Sequence, residues 1–216
     1  MSRFRTAHLD DLERFQGDFD TIPVRIPLGI GAFGINAYAS REAGGHLIEE
    51  HDELGAGAGG HEEVYLVLKG HARFVVDGEE VDARAGTFVF VSDPATRRGA
   101  TAGEAETVVL VVGGTRGEAF EPSPWESWLE GLPLYTAKDY EGAAAILARA
   151  LAKHPDNPNV LYNLACCEAL AGRGADALAH LTRSAELDPR VVDWASKDPD
   201  FDPIRDEPGF PGKNET

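Results

Sequence analysis

The residues best suited to chemistry lie in two short stretches. In "GGHEEVYLVLKG", Gly59 to Gly70, His61 and Glu63 stand at the start of a strand pattern. In the preceding "EEHDE", Glu49 and His51 are two apart, so on a strand they share one face. A divalent transition metal takes three or four ligands from neutral imidazole and ionised carboxylate. His51, His61 and Glu63, with Glu49 in support, supply that minimum. Iron, manganese, nickel or zinc is then the candidate cofactor; the alternative is no cofactor.

Other chemistries find less support. "GIGAFG", near Gly29, neither follows a strand nor opens a helix, as a dinucleotide-binding turn must. No serine or cysteine sits in a nucleophile elbow. His46 and His71 read as surface or hydrogen-bonded residues. With 37 acidic against 20 basic residues, the chain carries a net charge of −17. Such a surface repels phosphate backbones and anionic lipid, so nucleic acid and membrane are not expected partners. "MSRFRTAHLDDLERF" holds no apolar run of signal-peptide length, and "TVVLVVGG" is too short to cross a bilayer. A cytoplasmic location is expected. Cys166 and Cys167 are neighbours in a helical pattern, where an ordinary disulfide would be strained. They read as two reduced thiols, at least one packed in a helix interface.

The elements that must position the candidate ligands come in two kinds. "FGINAYA", "HLIEEH", "EVYLVLK", "ARFVVD", "TFVFV" and "TVVLVV" are short, rich in Val, Phe, Ile and Tyr, and separated by Gly-rich turns. That grammar predicts an antiparallel sandwich or barrel. Asp77-Gly78 suits a type I′ turn and predicts a hairpin from the strand of Phe74 and Val76 to that of Val81. After Gly113, "GEAFEPSPWESW" reads as a linker, and alanine- and leucine-rich helical patterning follows. Residues 1–115 are expected to form the β unit, with a short N-terminal helix in "HLDDLERF"; 116–124 the linker; and 125–216 the helical unit.

The helical part repeats. Ala143, Leu147, Ala150 and Pro155 recur 34 residues later as Ala177, Leu181, Ser184 and Pro189, and Gly131 matches Ala165. Small residues at fixed points let paired helices approach closely, and a closing proline ends the second helix. From Pro124 to Pro189 the sequence resembles the tetratricopeptide repeat family. It departs from that pattern at Trp128, one place off the usual tryptophan, and at Glu168, where a tyrosine is usual. The segment "VVDWASKDPDFDPIRDEPGF" is expected to cap the array with Trp194, Phe201 and Ile204.

The β half, residues 25 to 115, resembles the cupin family. Glu63 and Gly70 keep the interval of the first cupin motif, and "GTFVFVSDPATRR" from Gly86 fits the strand and turn of the second. The resemblance implies a jelly-roll barrel that holds a metal inside with three histidines and a glutamate, and a homodimer. Counted without a gap, the histidine positions fall on Gly57, Gly59 and Arg97, so only the glutamate remains. Treating "DELGAGAGG" as a loop puts Glu49 and His51 at the first two positions, the preferred register because Gly-rich runs make poor strands. Arg97 then pairs with Glu63 in the place of the metal. Tyr65 and Phe88 are candidates for lining the pocket, with core packing as the alternative.

The fold class expected is an all-β jelly-roll barrel followed by all-α helical hairpins. Two functions compete. In the first, a non-enzymatic barrel binds a small ligand, a carboxylate or other small anion being the class that Arg97 could grip, while the repeats serve protein interaction or dimerisation. In the second, a metal-dependent cupin enzyme of dioxygenase or isomerase type uses His51, His61 and Glu63. A metal-free enzyme, with Glu63 as base beside Arg97, is a third option.

Overall fold

The computed structural model describes residues 4–212. It divides into two compact units between Glu121 and Pro122. Residues 1–3 and 213–216, the outer limits of the expected units, lie outside the described residues.

In the first unit the strands are β1 (Phe15–Gln16), β2 (Asp20–Pro23), β3 (Gly34–Ser40), β4 (His46–His51), β5 (Glu62–Lys69), β6 (His71–Val76), β7 (Glu79–Arg84), β8 (Phe88–Val91), β9 (Arg98–Ala102) and β10 (Thr107–Gly114), with a helical turn α1 (Arg25–Leu28) after β2. One sheet runs β1-β2-β3-β10-β5-β8 and the other β4-β9-β6-β7. Apart from the β6–β7 hairpin, which stays within the second sheet, the strands β3 to β10 alternate between the two sheets as a jelly roll, the expected architecture. Tyr65, Val67 and Val109 of one sheet meet Leu47, Phe74 and Ala100 of the other in the core. The hairpin forms as expected: Phe74 pairs with Val81, and Asp77 and Gly78 take φ of 50° and 80°.

Three features depart from expectation. The N-terminal helix is a single 3-10 turn, Leu9–Asp11, because Leu12 is already extended and the chain enters β1. Strand β9, "RGATA", has no β-branched run to announce it; it forms because β4 and β6 pair with it on both sides. Residues 116–121 are no free linker, since the Phe120 ring stacks 5.3 Å from His61 and lies under Arg25.

The outer face of the six-stranded sheet is apolar across its width. Leu9 and Leu12 cover one half, over Ile22, Ala37, Ala39 and Val108. On the other half Phe88 and Phe90 remain 67% and 61% exposed, beside Leu68.

The second unit contains α2 (Pro124–Thr136), α3 (Tyr140–Lys153), α4 (Pro158–Leu170), α5 (Gly174–Leu187) and α6 (Arg190–Lys197). Ser123 and Asn157 cap α2 and α4 by accepting from Glu126 and Val160 N–H groups, each before a proline at the first helical position. The repeat positions are equivalent in space: Ala143, Leu147 and Ala150 are buried in α3, as are Ala177, Leu181 and Ser184 in α5. Both thiols are free and buried. Phe201, Ile204 and Phe210 pack on Ala177 and Leu181 as the cap. Trp194 joins them at the edge: it is 41% exposed, its ring meets Tyr162 of α4 edge-on at 6.2 Å, and the Arg190 guanidinium lies over it. Among the described residues, no helix is long and apolar enough to cross a membrane.

Candidate functional site

Strand β4 pairs with β9 through two register shifts, matching His46 with Thr101, Ile48 with Ala100 and His51 with Arg98. Two residues, Glu49 and Glu50, therefore oppose Gly99 alone. The extra residue reverses the alternation of faces, so that His51 rather than Glu50 turns inward. Gly99 permits this, because a Cβ there would lie 3.2 Å from the Glu50 Cα. The expected sharing of a face by Glu49 and His51 is corrected by this bulge. Glu49 is exposed and contributes only its carbonyl, 2.7 Å from His51 Nδ1.

After β4 the Gly-rich run folds as a loop around a residue the sequence reading missed. Glu53 is 8% exposed, and its Oε2 accepts from the backbone N–H groups of Gly59 and His61 at 3.0 and 3.3 Å. His61 is buried, but its ring faces Phe120 and its Nδ1 stays 3.9 Å from Glu53. The potential metal ligands that converge are His51, Glu53 and Glu63, with one ligand atom each inside 4.8 Å of the others. The expected set of His51, His61 and Glu63 is corrected at its second member.

The arginine expected at Arg97 is also displaced by one residue. Arg97 precedes β9, is exposed, and pairs with Glu50 at 2.8 Å. Arg98, opposite His51, is 0% exposed. Its Nη2 and Nε donate to Glu63 Oε2 at 2.9 and 3.2 Å, Nε also reaches the Tyr65 hydroxyl at 3.3 Å, and Nη1 donates to the carbonyls of Pro94 and Thr96 at 3.1 and 2.8 Å. Every guanidinium nitrogen is engaged, so Arg98 holds the protein itself rather than gripping an anion. The Tyr65 hydroxyl donates to Glu63 from the core side. Phe88, expected as a pocket residue, points outward, since in β8 only Val89 and Val91 face the core.

The surrounding charges bias each group's protonation. Burial opposes ionisation of Glu63, but His51, Tyr65 and Arg98 outweigh it and hold the carboxyl below its ordinary range. A base kept ionised in this way is weak, which counts against Glu63 as a general base. Burial opposes charge on His51 too, yet Glu63 and the Glu49 carbonyl raise its pKa above the ordinary value. Burial, reinforced by Glu63, pushes the Tyr65 phenol far up. Since a carbonyl only accepts, His51 Nδ1 carries a hydrogen. Nε2 then faces Glu53 Oε1 at 3.6 Å and Glu63 Oε2 at 3.9 Å, two more acceptors. That arrangement calls for a cation, either a proton on Nε2 or a metal between the three.

A second group, Cys166, Asp198 and Asp200, also converges within 4.8 Å. Here the acids are already served: Tyr162 donates to Asp198 at 2.7 Å and Tyr135 to Asp200 at 2.8 Å. Burial, then Asp198, pushes the Cys166 thiol far up, which keeps it protonated and a poor ligand. Cys167 is pushed up to about 12, chiefly by burial.

The tetratricopeptide repeat family profile matches residues 134–196, spanning the end of α2 through most of α6. Those residues form tetratricopeptide-like helical hairpins. No curated protein matches the sequence. Among solved structures, a cupin protein from Bacteroides fragilis is similar at 17% identity and a TM-score of 0.42, covering 57% of this chain and 95% of that one. An RmlC-like cupin from Desulfovibrio desulfuricans is similar at 23% identity and a TM-score of 0.41, over 51% of this chain and 96% of that one. A protein from Acidithiobacillus ferrooxidans proposed to be a sugar phosphate isomerase is similar at 23% identity and a TM-score of 0.37; this chain spans 44% of its own length there and 58% of the other's.

Proposed function

We propose that this is a non-enzymatic protein in which a cupin-like barrel serves as a small-ligand and dimerisation unit and the repeats hold a protein partner. One observation carries the reading: the fully buried Arg98 is fastened to Glu63, so a protein cation stands beside the one glutamate that the cupin motif retains. A ligand at the mouth would meet His51 and Glu53, the two members of the cluster that Arg98 does not contact, and would have to be a cation or hydrogen-bond donor. The half-open outer face with Phe88 and Phe90 supports a homodimer. Phe88 and Phe90 are themselves uncharged, so two copies at −17 can meet ring against ring there. Two free buried thiols support a cytoplasmic location.

A second reading has its own observation, the His51 Nε2 that faces two carboxylates. Two carboxylates, one imidazole and one guanidinium leave the cluster at −1 when His51 is neutral, which suits a divalent cation. His51, Glu53 and Glu63 would hold it, and it would supply Lewis acidity to a bound substrate. Arg98 and Tyr65 would keep Glu63 ionised and fix its orientation, and the Glu53 clasp would hold the loop closed over the site.

Elemental mass spectrometry on protein purified without tag or chelator separates the two. The first reading expects substoichiometric metal with none gained on soaking. One equivalent of iron, manganese, nickel or zinc, lost in His51→Ala, would replace it with the second.

A further inference from the structure

The outer face of the four-stranded sheet, on the side away from Arg98, holds a concavity of about 560 Å³ that the reading above does not use. Two cross-strand rows line it. In the first, His46 pairs with Thr101, Thr101 with Arg73, and Arg73 with Asp82. In the second, Gly99 lies against Glu50 and pairs with Val75, which pairs with Glu80. The Glu50 backbone fills the place that a side chain at Gly99 would take, and Val75, 44% exposed, gives the floor an apolar patch.

The charges in this concavity are already sorted. Asp82 is taken by His71 at 2.7 Å, and Glu50 by Arg97 at 2.8 Å. Among the described residues no carboxylate lies within 4.0 Å of the Arg73 guanidinium, unusual in a chain with nearly twice as many acids as bases. Arg73, the Thr101 hydroxyl and the His46 imidazole stand on three adjacent strands, about 4.8 Å apart, and all can donate to an oxyanion. At the far end of the second row, Glu80 offers an acceptor with no ion-pair partner among the described residues. Donors at one end, an acid at the other and an apolar floor between them fit a molecule charged at both ends. A bare anion would meet the repulsion of a −17 chain; a zwitterion carries no net charge to repel.

We propose that this groove binds a small aliphatic zwitterion, its carboxylate on Arg73, Thr101 and His46 and its ammonium toward Glu80. This site is independent of the barrel mouth and stands whether or not a metal binds there.

The test is titration of the full-length ¹⁵N-labelled protein with 4-aminobutyrate, with butyrate and butylamine as single-charge probes. Saturable shifts at the amides of Arg73, Val75, Gly99 and Thr101 are expected. Arg73→Gln should abolish binding of both carboxylates. Glu80→Gln should weaken 4-aminobutyrate at least tenfold and leave butyrate unchanged. Shifts that stay linear to about 50 mM, or saturable binding that survives Arg73→Gln, would overturn the site. Equal binding of butyrate and 4-aminobutyrate would overturn the zwitterion.

Discussion

His51 and Arg98 lie directly opposite each other in the β4–β9 pairing, and both side chains turn to the same oxygen of Glu63. A cross-strand pair of two potential cations would repel. The carboxylate between them makes the pair a bridge and ties β5 of one sheet to β4 and β9 of the other. The link joins the two layers of the sandwich where the apolar core gives way to the mouth.

Glu63→Gln should therefore destabilise the β unit by about 3 kcal/mol, because it strands a buried guanidinium. Arg97→Ala, which breaks an exposed pair with Glu50, should change stability by less than about 0.5 kcal/mol. Urea unfolding of both variants checks this; equal losses would show that Arg98 is not the arginine that matters.

The same bridge sets a pH window. The His51 pKa is raised on folding, so its contribution is complete below about 6.5 and fades as pH rises through the folded value. The Glu63 pKa is lowered, so its contribution is complete above about 4.3 and fades as pH falls through the folded value. The melting-temperature gap between wild type and His51→Gln should be widest between those limits and narrow toward pH 9. A gap that grows with pH would contradict a protonated His51.

Glu53→Gln keeps the hydrogen bonds to Gly59 and His61 but halves the negative charge facing His51. It should lower the pKa of His51, read by ¹H–¹³C NMR of the imidazole, while the Gly59 and His61 amides stay protected from exchange. Glu53→Ala should free those amides as well, since both backbone donors lose their acceptor.

Phe88→Ser with Phe90→Ser should leave the melting temperature within a few degrees, as both rings are mostly exposed. If the open face is the dimer contact, light scattering should show a halved mass for this variant. A wild-type mass already at one chain would remove the homodimer from the proposal.

In the repeats, Leu181→Ala should cost about 3 kcal/mol, because its side chain is fully enclosed in the second hairpin and cap. Calorimetry would register it in the unfolding of the helical unit.

Much of the architecture was legible because it rests on periodicity. Alternation and Gly-rich turns marked most strands, Asp77-Gly78 marked a hairpin, and a spacing of 34 marked the repeats. The site was legible only by neighbourhood. His51 and Glu63 do meet, but one inserted residue in β4 decides which side chains turn inward, and no local pattern at "HLIEEH" announces a bulge. A one-residue step in a strand exchanges inside for outside, which is why Arg97 was expected where Arg98 stands. Glu53 sat in the quoted "EEHDE", but its role depends on backbone N–H groups of a loop whose shape no composition reveals.

The tyrosine contacts at the C-terminal cap bear on how this helical unit could change in length. Tyr135 of α2 and Tyr162 of α4 belong to successive hairpins, yet their hydroxyls close on Asp200 and Asp198 of one short turn. Repeat proteins commonly gain or lose units by duplication, because each unit needs only its neighbours. An extra unit inserted before α6 would carry the turn one step along the stack and strand Tyr135 without its acid. The two tyrosines thus act as a gauge of array length, fitting the terminal turn to a stack of two hairpins.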